Sequence, residues 1–208
     1  MSVLTKTQAI EIVTDCAKQY RDNLANRMIL FLVTDKHKRV SGFEVSFDAS
    51  NFMHLTGCKV DENQITAIKF YERCLERKLK ESDFEFATDG TTPMKLSVLP
   101  MMLCKSLSAN SVGSYNHRQP TLYTEKLAGG VKGCMGFVED EKSKRYVPNT
   151  ILKVDIRDYT NETYRIIATY RKYKTDAEYS ELVYAAKKIE WDKIKFPDEY
   201  SYLPRPSK

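Results

Sequence analysis

His54 is the residue of this chain whose surroundings best suit acid–base chemistry. It lies in the segment 52–57, Phe-Met-His-Leu-Thr-Gly, which follows an alternating apolar and polar segment at 43–48 and a turn-like stretch at 49–51. That pattern predicts a half-buried strand with His54 just past its end. Histidine exchanges protons near neutral pH, and Gly57 lets the backbone approach a ligand. A buried ring, satisfied by one backbone hydrogen bond, is the alternative explanation.

A second concentration of polar residues lies at 146–157. If Thr150 and its alternate neighbours share one face of a strand, then Lys153, Asp155 and Arg157 share the other, because side chains alternate along a strand. We expect Arg165 and Arg171, on the next predicted strand, to extend this basic face. Alternatively, Asp155 and Arg157 only pair with neighbours across the sheet.

Metal-free RNA cleavage needs a base for the 2′-hydroxyl, cations for the charge that develops on the phosphorane, and an acid for the leaving 5′-oxygen. His54 suits the base or the acid, and Arg157 suits a cation. Lys95 is the sole charge in the apolar run 93–104, so it is expected to point into the same space as His54. Several of the 13 tyrosines alternate with lysine and arginine late in the chain, a mixture that suits base stacking and equally suits ordinary strand packing.

Several enzyme classes lack their usual motifs in this sequence. There is no phosphate-binding loop for nucleotide hydrolysis, no dinucleotide fingerprint for redox chemistry, no zinc-protease helix motif for proteolysis and no nucleophile elbow. The three histidines are far apart, and the five cysteines form no closely spaced pair. We therefore expect no histidine-rich or cysteine-based metal site, no cofactor and no disulfide framework. Carboxylate-only magnesium chemistry stays open, although no Asp-x-Asp spacing supports it.

Composition describes an ordinary globular protein with a moderate basic excess. Apolar residues make up 42% of the chain, the net charge is +5, and the isoelectric point is about 8.8. No apolar run is long enough to span a membrane, and no signal-peptide core is visible at the start. We expect a cytoplasmic protein whose charge suits a polyanionic partner.

The elements that position these residues follow from periodicity. Helices are predicted at 5–26, 61–80, 93–104 and 176–189, and a hairpin at 27–34 and 40–48. Further strands are predicted at 121–127, 133–139, 144–147, 150–156 and 163–173, followed by an irregular, proline-rich tail at 191–208. The prediction is one α+β domain over 1–208, with N-terminal helices packed on an antiparallel sheet formed largely by the C-terminal half.

Two motifs in this order resemble the phage-associated branch of the Barnase, EndoU, colicin and RelE-like nucleases (BECR nucleases). The first is the predicted strand 43–48 followed by Phe-x-His-Leu-Thr-Gly, and the second is Pro-Asn-Thr-x-Leu-x-x-Asp-Ile-Arg at 148–157. The resemblance covers about residues 29–188. It implies a metal-independent endoribonuclease carried by phages or other mobile elements. It points to His54 and Thr56 in the first motif, and to Asn149, Thr150, Asp155 and Arg157 in the second.

The residues and the resemblance together predict a site without metal or cofactor. The predicted catalytic residues are His54, Lys95, Thr150 and Arg157, and the predicted substrate-binding residues are Thr56, Asn149, Lys153, Arg165, Tyr170 and Arg171. The predicted function is RNA cleavage by acid–base transesterification, on tRNA or on a guide RNA as an anti-CRISPR activity. A CRISPR effector nucleoprotein or an antitoxin is the expected protein partner, and no membrane is expected to take part.

Two other functions fit the sequence. One is a non-catalytic anti-CRISPR protein, or another inhibitor that binds a host nucleoprotein. The other is a structural protein of a phage particle, which the basic strand face disfavours. Turnover separates the first from an enzyme, because a stoichiometric inhibitor does not act below one equivalent.

Overall fold

The computed structural model describes residues 4–119 and 122–206. The helices in these ranges are α1 (Lys6–Asn23), α2 (Asn51–Thr56), α3 (Ala67–Leu75) and α4 (Thr91–Met102). The strands are β1 (Arg27–Thr34), β2 (Val40–Phe47), β3 (Cys58–Lys59), β4 (Glu85–Phe86), β5 (Ser111–Tyr115), β6 (Lys126–Gly129), β7 (Cys134–Glu139), β8 (Tyr146–Leu152), β9 (Thr160–Tyr173) and β10 (Glu181–Ala185). The fold is therefore α+β, as predicted.

Eight of these strands form one sheet that closes on itself. Their order is β1-β2-β8-β7-β6-β5-β9-β10, and β1 also pairs with β9. Neighbouring strands are antiparallel except β2 and β8, which meet in parallel at Val45 and Tyr146. Six of the eight strands follow residue 110, so the prediction of a mostly C-terminal antiparallel sheet is confirmed.

Strand β1 separates two cores because its side chains are apolar on both faces. Ile29, Phe31 and Val33 pack in the main core with the four helices, whereas Met28 and Leu30 pack in a second core on the opposite face. The C-terminal segment covers this second core with residues that include Trp191, Phe196 and Leu203. The predicted hairpin strand 27–34 is therefore buried on both faces from 28 to 33, as a strand central to a sheet is.

The predicted helix at 176–189 is wrong. Residues 181–185 form strand β10, which adds to β9 and places Leu182 opposite Tyr170. The Arg171 guanidinium lies 2.7 Å from the Glu181 carboxylate and ties the two strands together. Pairing with the open edge of β9 therefore stabilises a strand here, although the apolar residues of this segment have helical spacing.

The two predicted strands at 144–147 and 150–156 are also wrong in their bounds. They form the single strand β8, and the chain leaves the sheet after Leu152. Asp155 then accepts a hydrogen bond from the Arg157 backbone N–H and begins a 3₁₀ turn at Ile156–Asp158. Lys153, Asp155 and Arg157 therefore do not share a strand face.

Smaller differences concern element bounds. The predicted helix 61–80 is observed only at 67–75, and strand β5 was not predicted. The predicted strand 121–127 begins at residue 121, which lies outside the described residues, and strand β6 runs from 126 to 129. None of the helices in the described ranges is long and apolar enough to cross a membrane.

Candidate active site

A cleft of about 230 Å³ lies where helices α2 and α4 meet strands β3 and β8. Its polar lining consists of His54, Lys59, Glu62, Thr91, Lys95 and Asn149. Three of these residues, His54, Lys95 and Asn149, were predicted to act in the site from the sequence. The fold brings them together although they are distant along the chain.

Helix α2 presents His54 to this cleft. Phe52 and Leu55 are fully buried and fix the helix against the core, which leaves the His54 side chain exposed on the outer face. The Asn51 side chain accepts a hydrogen bond of 2.8 Å from the Asp48 backbone N–H and holds the start of the helix. His54 thus lies within a short helix after the strand, and the alternative of a buried ring is wrong.

Helix α4 presents Lys95, whose ammonium donates a hydrogen bond of 3.1 Å to the backbone carbonyl of His54. Gly57 ends α2 with a φ of 72°, and a Cβ placed there would lie 2.9 Å from the Lys95 Cδ. Any other residue here would crowd the lysine stem and would have to adopt a positive φ, so glycine suits this position. The Thr92 hydroxyl donates to the Gly57 carbonyl at 2.6 Å, so the two helices are joined directly behind the cleft.

The cleft lowers the pKa of both proton-transfer candidates. Burial, with the nearby Lys59 charge, lowers the pKa of Lys95 to about 8, against an opposing effect of Asp89. Although His54 is exposed at the cleft mouth, the surrounding protein displaces water from it and lowers its pKa. The Lys95 and Lys59 charges lower it further, and Glu62 opposes them. Near pH 7 the imidazole is therefore mostly neutral beside a mostly charged lysine.

Strand β8 presents Asn149 to the same cleft. Its amide nitrogen donates a hydrogen bond to the Tyr123 carbonyl, and its amide oxygen lies 3.3 Å from the Thr124 hydroxyl. These contacts fix the orientation of the carboxamide. Asn149 is thus a rigid polar group on the cleft wall.

Two predicted site residues support the cleft from inside the protein. The buried Thr56 hydroxyl donates to the Met53 carbonyl at 2.7 Å and accepts from the Cys58 N–H at 3.1 Å, which closes the end of α2. Thr150 is 8% exposed, and its methyl group packs against Gly136. Neither residue is among those that line the cleft.

The structure places the other predicted residues elsewhere. Arg157 and Arg165 line a different cleft. Arg157 pairs with Asp155 at 2.6 Å within the 3₁₀ turn, and not with a neighbour across the sheet as the alternative expected. Lys153 is exposed beside helix α4. Tyr170 is fully buried, and its hydroxyl donates to the Pro204 carbonyl at 2.8 Å.

Arg171 is 4% exposed, and its guanidinium binds Glu181 and the Asn23 carbonyl. Arg171 and Tyr170 therefore hold the fold together at positions from which they do not reach the cleft around His54.

Three polar residues of the cleft were not predicted from the sequence: Lys59, Glu62 and Thr91. Lys59 belongs to a two-residue strand, and its place at the cleft depends on the pairing of β3 with β4. So short a strand leaves no periodicity to detect. Within the described ranges no group of three or more His, Cys, Asp and Glu side chains is placed to hold a metal ion.

The arrangement offers three chemical functions in one cleft. A mostly neutral imidazole accepts a proton, ammonium groups stabilise negative charge or donate a proton, and a fixed amide orients a polar ligand. A phosphodiester is the kind of group that all three would serve.

Comparison of the sequence with known proteins identifies the family to which the chain belongs. No curated protein and no solved structure is significantly similar to the chain. The family model described as phage-Barnase-EndoU-ColicinE5/D-RelE like nuclease4 matches residues 12–188, somewhat more of the chain than the 29–188 that the motif resemblance covers. The matched part includes all four helices except the start of α1, all ten strands and every residue of the cleft described above. The chain therefore belongs to this family of phage-Barnase-EndoU-ColicinE5/D-RelE like nucleases.

Proposed function

We propose that this nuclease is an endoribonuclease that cleaves RNA by transesterification, using protein side chains for proton transfer. The observation that carries the proposal is the shared cleft, in which the Lys95 ammonium binds the His54 carbonyl and both residues have a lowered pKa. RNA provides the internal nucleophile, the 2′-hydroxyl, that this set of groups would activate. Membership in a nuclease family supports the same reaction class.

The proposed reaction assigns one role to each of four residues that line the cleft. Neutral His54 accepts the proton of the 2′-hydroxyl while the 2′-oxygen forms a bond to phosphorus. The bond from phosphorus to the 5′-oxygen breaks, and Lys95 donates a proton to that leaving oxygen. Lys59 stabilises the charge on the phosphorane, and Asn149 orients the backbone. The products are a 2′,3′-cyclic phosphate and a 5′-hydroxyl.

The natural substrate and setting are part of the proposal. We infer that a phage or another mobile element supplies the protein, which acts in the cytoplasm of the host cell on tRNA or on a guide RNA. In the second case a CRISPR effector nucleoprotein is the partner and the activity is anti-CRISPR. An antitoxin is the expected partner if the protein acts as a toxin.

The test is incubation of purified protein with labelled tRNA and with a guide RNA, free and bound to its effector, in the presence of EDTA. We expect discrete fragments that end in 2′,3′-cyclic phosphate at protein concentrations well below that of the RNA. His54→Ala should lower the rate at least 100-fold, because it removes the general base. The exposed His37 lies in the β1–β2 turn, so His37→Ala is the matched control and should cleave normally.

Two results would contradict the proposal. One is a folded, RNA-binding His54→Ala protein that cleaves as fast as the parent. The other is intact RNA in a retarded complex at every protein ratio, which would instead favour a stoichiometric inhibitor.

A further inference from the structure

A second cleft, of about 930 Å³, lies between the β1–β2 turn, strand β9 and the C-terminal segment. It shares no lining residue with the cleft around His54. The family match ends at residue 188, so most of the C-terminal wall of this cleft comes from chain outside the match. We call it the basic cleft.

The basic cleft concentrates the positive charge of the protein. Its lining includes six basic and three acidic side chains, a net charge of +3, whereas the whole chain carries +5. Two of the basic side chains are neutralised nearby, Arg39 by Asp35 and Lys193 by Glu190. Within residues 4–119 and 122–206 the other four form no ion pair: Lys38, Arg165, Lys188 and Lys195.

The C-terminal wall of the basic cleft is firmly anchored. Trp191 and Phe196 are buried in the second core and meet edge to face, with ring centroids 6.5 Å apart. Arg205 donates to the carbonyls of Trp191 and Ile194 and lies over the Phe196 ring. The Tyr200 hydroxyl donates to Glu44 on strand β2 at 3.0 Å. These contacts therefore hold the backbone that carries the lysines of this wall in a fixed position.

The basic cleft continues into a neighbouring one. Arg165 lines both the basic cleft and the cleft that contains Arg157 and Tyr184. Basic side chains without an ion pair among the described residues therefore run from the β1–β2 turn past strand β9 toward Arg157 and the ring of Tyr184. An extended polyanion matches this arrangement better than a single small anion, because its phosphates recur along the chain.

We propose that the basic cleft binds the sugar-phosphate backbone of RNA outside the cleavage site and thereby holds long substrates. The choice of RNA as the ligand rests on the proposed ribonuclease function. Contacts to phosphates carry no sequence information, so this site would strengthen binding of any RNA long enough to reach it. It would leave the cleavage of very short RNAs unchanged.

The experiment measures binding of a labelled single-stranded RNA of about 20 nucleotides by anisotropy over a series of KCl concentrations, in a His54→Ala background that prevents cleavage. The test variant combines Lys38→Gln, Lys188→Gln and Lys195→Gln. The matched control combines Lys69→Gln, Lys80→Gln and Lys142→Gln, three exposed lysines that do not line the basic cleft.

We expect the test variant to bind the RNA at least tenfold more weakly at about 100 mM salt, with the slope of log K against log salt reduced by about 2. The control should change affinity less than about threefold. With His54 intact, the same three substitutions should leave cleavage of a trinucleotide at the parent rate. Equal affinity of the two triple variants for the RNA would overturn the proposal. So would poly-glutamate that displaces the labelled RNA as well as unlabelled RNA of equal charge does.

The outcomes separate this inference from the proposed activity. Parent protein that binds RNA through the basic cleft but never cleaves it would refute the ribonuclease and leave the binding site. Cleavage without any difference between the two triple variants would refute the binding site and leave the ribonuclease.

Discussion

At the scale of single residues, the central feature is the proposed proton-transfer pair, His54 and Lys95, whose pKa values are lowered by burial and by nearby like charges. Lys95 is the sole charge in an apolar helix, and this isolation allowed its place in the site to be predicted from sequence. A lysine in such a helix must reach an opening, because an unpaired buried charge is costly. By contrast, nothing in the sequence indicates that Lys59 lies near Lys95, because the spacing of two lysines along the chain does not show that they approach each other in the fold.

The pH dependence of cleavage should be bell-shaped. The rate should rise as His54 loses its proton, with a midpoint below the ordinary histidine pKa of 6.5, because its pKa is lowered. It should fall above about pH 8, where Lys95 loses the proton that it must donate. Single-turnover rates between pH 5 and 10 measure both limbs.

Lys95→Arg provides the check on this assignment. A guanidinium keeps its charge throughout this range, so the alkaline limb should disappear, and the acid limb should stay. An unchanged alkaline limb in Lys95→Arg would refute Lys95 as the titrating acid.

Lys95 should also lower stability. Its pKa is about 8 in the folded protein and ordinarily 10.5, so between these values the unfolded chain binds more protons and the free energy of unfolding rises with pH. Lys95→Met should remove this rise and increase the free energy of unfolding at pH 7 by about 1 to 2 kcal/mol. Urea unfolding at pH 7 and 10 tests this. A destabilised Lys95→Met would show that the hydrogen bond to His54 outweighs the cost of burying the charge.

At the scale of elements, the cleft depends on the junction between helices α2 and α4. The strand-then-turn pattern predicted where His54 lies, but the short helix α2 escaped detection because six residues show too little periodicity. The same limit applies to β3. By contrast, the long helices α1 and α4 and the β1–β2 hairpin were visible from apolar spacing and turn residues.

Gly57→Ala tests this junction. The added Cβ would meet the Lys95 stem at 2.9 Å and strain a φ of 72°, so we expect a loss of about 1 to 2 kcal/mol in the free energy of unfolding and at least a tenfold loss of cleavage. Gly90→Ala is the matched control, because Gly90 has a φ of 76° and open space around its Cβ position. It should lose similar stability and keep full activity. Equal activity of the two variants would show that the position of Lys95 is unimportant.

At the scale of the whole molecule, closure of the sheet joins residues from opposite ends of the chain. The pairing of β1 with β9 sets Arg27 opposite Tyr173, which no local pattern predicts. Non-local pairing also explains why residues 181–185, predicted as part of a helix, form a strand: they pair with the exposed edge of β9. Arg171, predicted to bind substrate, instead ties β9 to β10 and to the end of α1.

Arg171→Met should destabilise the protein by about 3 kcal/mol. Among the described residues it leaves Glu181 paired with Lys105 alone, and it removes the guanidinium that donates to the Asn23 carbonyl. Arg165→Met, at an exposed position on the same strand, should change the free energy of unfolding by less than about 0.5 kcal/mol. Denaturant unfolding measures both variants. Folded Arg171→Met that has lost cleavage of a trinucleotide at full stability would instead support its predicted role in substrate binding.

The most direct test of the central claim is to map a cleavage position in an RNA and to repeat the single-turnover reaction on the same RNA with a 2′-O-methyl group at that one nucleotide. We predict that cleavage at that position stops and that other positions continue to be cut, because in the proposed reaction the 2′-hydroxyl is the nucleophile that His54 activates. Cleavage of the methylated position at the parent rate would contradict transesterification and, with it, the role assigned to His54.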